Sequence, residues 1–160
     1  MIKTPMKKAA PKKSVKKVPV KKAAKKSVKV EPLMQILATS KCQTLSGKST
    51  LTYQIAIDDK ENIFLRITGN DGGGFWSKEY VLLSAIINTI ESVPDNQSIT
   101  SVHFLRLFVG KSQNSYGFLL AILLKEGLLE ALERKRQYRK SESGIDKFLA
   151  KIDELKSSKG

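Results

Sequence analysis

Residues 50–67 alternate between apolar and polar side chains, which is the period of a half-buried β-strand, in two stretches separated by a polar turn. The second stretch, 63–67, follows the turn Asp-Asp-Lys-Glu-Asn at 58–62. Together the two stretches predict a β-hairpin over 50–67. In the first stretch the large apolar residues stand at every second position, namely Leu51, Tyr53, Ile55 and Ile57.

Apolar residues beyond the glycine-rich segment 69–74 recur at three- and four-residue spacing, which predicts helices. The link between the second and third helices is short, as in helix-turn-helix proteins. The predicted helices span 77–92 with Ser77 as the N-cap, 98–109 with Ser98 or Thr100 as the cap, and 115–126 with Gly127 as the stop.

The segment after Gly127 has two interpretations. In the first, 128–141 forms a hairpin of two short strands, and a closing helix follows over 144–156. In the second, 115–140 is one long helix that Gly127 merely interrupts, at a cost of only about 1 kcal/mol relative to alanine.

The first interpretation resembles winged helix-turn-helix regulators of the MarR and PadR kind over about residues 98–155. The resemblance lies in the order of a third helix, Gly-Leu-Leu, a charged hairpin, Tyr-Arg-Lys-Ser, Ser-Gly and a further helix. It implies that the third helix is a recognition helix and that the hairpin is a DNA-contacting wing. The candidate DNA contacts are Lys111, Gln113, Asn114, Ser115 and Tyr116 near the start of the third helix, and Arg134, Lys135, Arg136, Tyr138, Arg139 and Lys140 on the wing.

The third helix itself is poor in polar residues beyond its N-terminal end. Base edges are normally read by Arg, Asn, Gln or Ser side chains, so we expect sequence specificity to be weak. Leu120 and Leu124 must be buried elsewhere, and this apolar surplus suggests a partner surface, with a homodimer as one form of it.

Charge is distributed unevenly along the 160 residues, whose formal net charge is +14. Residues 1–30 contain twelve lysines and no acid, whereas residues 31–160 hold seventeen basic and fifteen acidic residues, a net of +2. Such a low-complexity tail buries too little apolar surface to fold and binds polyanions through phosphate contacts. The tail residues expected to contact DNA are Lys7, Lys8, Lys12, Lys13, Lys16, Lys17, Lys21, Lys22, Lys25, Lys26 and Lys29.

The tail resembles in composition the Lys/Ala/Pro-rich tails of bacterial histone H1-like nucleoid proteins, over residues 3–30. The resemblance implies chromosomal DNA as the partner and a cytoplasmic, nucleoid-associated location. Two other interpretations remain open: a solubilising or ribosome-associating extension, and an anchor on anionic lipid.

Other classes of function find little support in the residues. No apolar run approaches the roughly 20 residues that a membrane span needs. A single cysteine, Cys42, and a single histidine, His103, exclude an internal disulfide and a zinc site built from cysteines and histidines. Segment 45–50, Leu-Ser-Gly-Lys-Ser-Thr, lacks the earlier glycine of a P-loop, and a strand rather than a helix follows it. We therefore expect no enzymatic activity, cofactor, metal or small-molecule substrate.

The sequence thus predicts a disordered basic tail over 1–32 and one α+β domain over 33–158, in which an N-terminal β-hairpin precedes a winged helix-turn-helix-like helical domain. The leading hypothesis is a histone-like protein that binds DNA largely without sequence specificity, with a regulatory role as an extension of it. The alternative is a protein-interaction or dimerisation module that the tail tethers to nucleic acid or ribosomes. RNA is a third candidate ligand.

Overall fold

The computed structural model describes residues 33–108 and 112–160, which form a mixed α+β architecture. A four-stranded antiparallel sheet is in contact with all three α-helices, and a separate two-stranded hairpin lies near the C-terminal end. The elements are β1 (Gln35–Gln43), β2 (Thr50–Ile57), β3 (Ile63–Asn70), β4 (Val81–Leu82), α1 (Leu83–Ser92), a 3₁₀ helix (Ser101–Phe108), α2 (Asn114–Lys125), β5 (Leu129–Ala131), β6 (Tyr138–Lys140) and α3 (Gly144–Lys159).

The hairpin predicted over 50–67 is confirmed as β2 and β3, which pair antiparallel in the middle of the sheet order β1-β2-β3-β4. Its turn is held by Asp58, whose Oδ1 accepts the backbone N–H groups of Lys60 at 2.9 Å and of Asn62 at 2.8 Å. The side-chain hydrogen bond from Asn62 lowers the pKa of the Asp58 carboxyl. Asp58 therefore serves local turn geometry.

Strand β1 is an element that the sequence did not predict. It pairs antiparallel with β2, and the register shifts between Ile36 and Ala38. The shift inserts Leu37 as an extra residue, so that Leu37 and Cys42, five positions apart, are both buried. A β-bulge of this kind breaks the period of two on which strand prediction relies.

The first predicted helix begins later than expected. Val81 and Leu82 pair with β3 as the edge strand β4, and α1 starts only at Leu83. Ser77 is not an N-cap: it is buried, and its backbone N–H donates to Ser115 Oγ at 2.8 Å. The prediction of a helix over 77–92 was therefore wrong in its first turn and a half.

The second predicted helix is a 3₁₀ helix over Ser101–Phe108, and residues 109–111 lie outside the described part of the chain. Before it, Ile99 and Tyr138 exchange two backbone hydrogen bonds, of 2.7 and 2.9 Å. This bridge ties the segment ahead of the 3₁₀ helix to strand β6 of the C-terminal hairpin.

Helix α2 ends at Gly127 as predicted, through two hydrogen bonds characteristic of a Schellman motif. The N–H of Leu128 donates to the carbonyl of Leu123 at 3.0 Å, and the N–H of Gly127 donates to that of Leu124 at 3.2 Å. Gly127 has a φ of +81°, which glycine adopts without strain. The chain then continues as the β5–β6 hairpin, so the alternative of one long helix over 115–140 was wrong.

Most of the apolar surplus of α2 lies inside the molecule. Leu119, Leu120, Ile122 and Leu123 are each at most 1% exposed, because α2 packs between the 3₁₀ helix, β1 and β5. Leu124 is only partly buried against the same core, and a homodimer stays a prediction.

Three elements meet at the carboxylate of Glu126, directly after α2. Glu126 Oε1 accepts the hydroxyl of Tyr53 from β2, and Oε2 forms a 2.5 Å ion pair with Lys151 Nζ of α3. The Glu126 side chain is 5% exposed. Burial and this hydrogen bond raise the pKa of Tyr53 above its ordinary value. The cluster links the sheet to α2 and α3, and the Lys151 ammonium group neutralises the buried carboxylate of Glu126.

Within the described residues, no helix has the length and apolar character that crossing a membrane requires.

Candidate functional site

A groove of about 830 Å³ opens between three parts of the fold that are distant in sequence. One wall is the N-terminal end of α2, and the opposite side is the tip of the β5–β6 hairpin. The turn between β1 and β2 contributes Thr44, Leu45 and Ser46 to its edge. The groove therefore lies where the start of one helix faces a charged hairpin.

Seven of the predicted contact residues line this one groove. Three come from the start of α2 and four from the β5–β6 hairpin: Gln113, Asn114, Tyr116, Arg134, Lys135, Arg136 and Tyr138. The three hairpin cations are exposed, and Glu133 is the acid beside them in the groove lining.

The hairpin tip has a defined backbone conformation that presents these cations. Gln137 donates its N–H to the carbonyl of Arg134 at 3.3 Å, and Leu132 donates to the carbonyl of Gln137 at 2.9 Å. Arg136 adopts a φ of +64° to close the turn. Three successive cations therefore project from one tight turn at the rim of the groove.

The groove runs along the first two turns of α2, since Gln113, Tyr116 and Leu120 all line it. No acidic residue occupies the first turn of this helix. An anion in the groove would therefore lie near the start of α2, where the helix dipole is positive, and near the three side-chain cations.

Two of the predicted contact residues are buried. Ser115 has no exposed surface, and its Oγ accepts the N–H of Ser77. Tyr138 is 6% exposed, and burial raises the pKa of its hydroxyl while the charge of Arg136 lowers it. Ser115 thus positions a loop, and Tyr138 belongs to the core and the floor of the groove.

Arg139 and Lys140 lie on strand β6, away from the tip. Arg139 donates from Nε at 2.9 Å and from Nη2 at 2.8 Å to Glu130 Oε2. The other oxygen of Glu130 accepts the hydroxyl of Ser141, and these bonds, the one from Arg139 first, lower the pKa of the Glu130 carboxyl. The charge of Arg139 is therefore matched within the hairpin, whereas Lys140 is exposed.

The remaining predicted contacts lie outside the described residues. They are Lys111 and the tail lysines Lys7, Lys8, Lys12, Lys13, Lys16, Lys17, Lys21, Lys22, Lys25, Lys26 and Lys29.

A loop that the sequence did not assign to the site is fastened to the start of α2. The carbonyl of Phe75 accepts a hydrogen bond from Ser112 Oγ at 2.6 Å and another from Asn114 Nδ2 at 3.1 Å. Gly73 and Gly74 have φ values of +75° and +93°, which let the chain turn back toward α2 at this point. In the sequence, the glycine run at 72–74 is the signal for this loop, because consecutive glycines accompany backbone conformations that other residues disfavour.

The single histidine takes part in local hydrogen bonds, and the single cysteine is buried. His103 Nδ1 accepts the N–H of Thr100 at 3.1 Å, and the N–H of His103 donates to the Thr100 carbonyl, which closes the start of the 3₁₀ helix. Cys42 is 7% exposed, and burial raises the pKa of its thiol to about 11, with opposing contributions from Lys125 and Glu126.

Cys42 is therefore expected to resist alkylation in the folded protein. A pKa raised from 9.0 to about 11 lowers the thiolate fraction at about pH 8 roughly 100-fold, and the thiolate is the reactive form. The labelling rate with iodoacetamide should be at least about 100-fold slower in the native chain than in denaturant. Equal rates in the two states would contradict the burial of this thiol.

Comparison with known proteins adds no relative: no protein-family model, no curated protein and no solved structure matches this chain.

Proposed function

We propose that the protein binds nucleic acid, DNA in the first place, mainly through phosphate contacts. The lysine tail supplies most of the affinity, and the groove between α2 and the β5–β6 hairpin orients the folded body on the duplex. The observation that carries the proposal is the convergence of the α2 start and three exposed cations, Arg134, Lys135 and Arg136, on one groove.

The tail supports the proposal through its charge. Twelve lysines without an intervening acid form a dense array of point charges. Lysine ammonium groups neutralise phosphates without the bidentate geometry by which arginine recognises guanine. The expected binding is therefore strong at low salt and nearly independent of sequence.

The order of elements supports a winged-helix interpretation of the body. A 3₁₀ helix precedes α2, the hairpin follows directly after Gly127, and the Ile99–Tyr138 bridge holds the segment before the 3₁₀ helix against β6. In this interpretation α2 is the recognition helix and the hairpin is the wing. With Ser115 buried, Gln113, Asn114 and Tyr116 are the side chains from this end that remain to face a ligand, which keeps base reading weak.

A charge-neutral hairpin tests the groove. Replacing Arg134, Lys135 and Arg136 with glutamine keeps a polar, unbranched side chain and removes three charges. The slope of log K against log salt is expected to fall by about 2 to 3 units, at about 0.9 per phosphate contact. Fluorescence anisotropy with a labelled duplex over a salt series measures this slope.

The matched control removes three cations from α3 instead, at Lys147, Lys156 and Lys159, and so changes net charge equally. The hairpin variant should lose more slope than the control. Equal effects would show that only net charge matters and would reject the groove.

The measurement is repeated in a chain whose tail lysines are glutamine, so that residual binding reports the body alone. A neutral-tailed chain with no affinity for nucleic acid would favour the protein-interaction alternative.

A further inference from the structure

Phe75 exposes 87% of its surface at the tip of the glycine-rich loop. Apolar side chains of this size are normally at least partly covered, and a ring in water contributes nothing to folding. The fold therefore does not account for a phenylalanine at this position.

The backbone beneath the ring is held firmly. The carbonyl of Phe75 accepts the two hydrogen bonds from Ser112 and Asn114 described above. Before it, the carbonyl of Gly73 accepts Asn70 Nδ2 at 2.7 Å. After it, the N–H of Ser77 donates to the buried Ser115. A ring presented by a fixed backbone loses little conformational entropy when a ligand covers it.

The backbone of Phe75 lies next to the candidate groove. Asn114 belongs to the groove wall, and the same side chain donates to the carbonyl of Phe75. A strand whose phosphates contact the groove therefore passes within reach of the loop.

The exposed residues that precede Phe75 in the chain are small or polar rather than apolar. Residues 71–74 are exposed, and they comprise one aspartate and three glycines. The carboxylate of Asp71 is engaged within the fold, since its Oδ1 accepts the N–H of Thr50 at 2.6 Å. Lys78 is exposed and places Nζ 5.7 Å from the centre of the Trp76 ring. Protein-binding anchors lie instead within apolar, fully desolvated patches.

We infer that Phe75 is a stacking platform for an unpaired nucleobase, which extends the proposed nucleic-acid function and rests on it. A base in single-stranded DNA or RNA, or at a gap in a duplex, offers a free π-face to an aromatic side chain. A base within an intact duplex would first have to be unstacked, so the platform favours unpaired positions.

The test compares full-length chains on four labelled probes: an intact duplex, the same duplex with a short single-stranded gap, and single strands of DNA and of RNA. Phe75→Ala should weaken binding to the three probes with unpaired bases by about 5- to 100-fold. Its affinity for the intact duplex should stay close to that of the wild type. Whichever single strand loses more on substitution identifies the nucleic acid that stacks.

Two further variants separate stacking from simple apolar contact. Phe75→Tyr keeps an aromatic ring and should bind like the wild type, whereas Phe75→Leu keeps apolar bulk and should lose affinity as Phe75→Ala does. Leu149→Ala removes another exposed apolar side chain, from α3, and should change nothing. Trp76, the single tryptophan, lies next to Phe75, so its emission should change on binding to the gapped duplex in the wild type and in Phe75→Tyr but not in Phe75→Ala.

The outcomes distinguish a failure of the stacking inference from a failure of the proposed nucleic-acid binding. If the wild type and Phe75→Ala bind the gapped duplex equally, stacking is wrong and nucleic-acid binding stands. Equal losses on intact and gapped duplexes also overturn stacking. If the wild type binds none of the probes, both proposals fail. If Phe75→Ala changes the oligomeric state and leaves nucleic-acid affinity unchanged, the ring belongs to a protein contact and the inference is wrong.

Discussion

Replacing all twelve tail lysines with glutamine is expected to remove most of the affinity for DNA at low salt and most of its salt dependence. A protein that neutralises six to ten phosphates loses about 10³- to 10⁵-fold in affinity between about 50 and 200 mM salt, through counterion release. The wild-type chain should lie in that range, and the neutral-tailed chain should show a slope smaller by several units. Anisotropy titrations over a salt series measure both.

The control for this experiment is a tail of the same composition with the order of its residues scrambled. Because phosphate contacts need charge rather than order, the scrambled tail should keep the wild-type slope. A slope that does not change when the lysines are neutralised would reject any role of the tail in binding. A scrambled tail that binds like the neutral one would show that the pseudo-repeat itself is recognised.

Gly144→Ala is expected to destabilise the fold by about 3 kcal/mol or more, beyond most overpacking substitutions. Gly144 opens α3, and a Cβ added there would lie 1.9 Å from the carbonyl oxygen of Gly127 and 2.7 Å from Ser141 Cβ. Neither obstacle is the flexible end of a long side chain, so α3 must move away from the end of α2. Thermal unfolding should show a melting temperature lower by roughly 10 °C.

Gly117→Ala is the matched control, since it adds the same methyl group within α2. A Cβ at Gly117 has no atom outside the local helix within 4 Å. Alanine at an unobstructed helical site should raise stability by about 0.5 to 1 kcal/mol, because it restricts the unfolded chain. If the two substitutions had the same sign, the close contact between Gly127 and Gly144 would be wrong.

The parts of the fold that the sequence predicted are those in which local chemistry and the tertiary structure agree. The 50–67 hairpin has an unbroken alternation and an acidic turn that hydrogen-bonds its own backbone. Helix α2 carries its own stop signal at Gly127, and α3 begins at the predicted glycine. In each case the signal lies within a few residues of the structure that it specifies.

The errors fall where a distant partner overrides the local pattern. Leu37 bulges out of register because β1 pairs with β2, which the residues around 37 do not encode. Val81 and Leu82 fit a helical pattern equally well, yet β3 offers them an edge to pair with. Such competition between tertiary pairing and local spacing is not visible in a single sequence.

The candidate site could be predicted from the sequence in its residue types but not in its geometry. The cluster at 134–136 stands out by its charge and the residues at the start of α2 by their polarity, so both entered the prediction. The burial of Ser115 and Tyr138 was not predictable, because it depends on the glycine-rich loop and on the Ile99 bridge that cover them. In the sequence, the only signal that pointed to Phe75 was the run of glycines directly before it.

Because Gly127 and Gly144 are in contact, the two ends of the hairpin segment lie next to each other. Residues 128–143 leave the body and return to nearly the same point, with Leu128, Leu129 and Tyr138 fixing the base in the core. Only the tip beyond Leu132 is free of such anchors, so its length and charge can change without moving the ends of α2 and α3. Evolution or engineering can therefore alter what this hairpin contacts while the scaffold stays the same, and the tip is the place to graft a new recognition sequence.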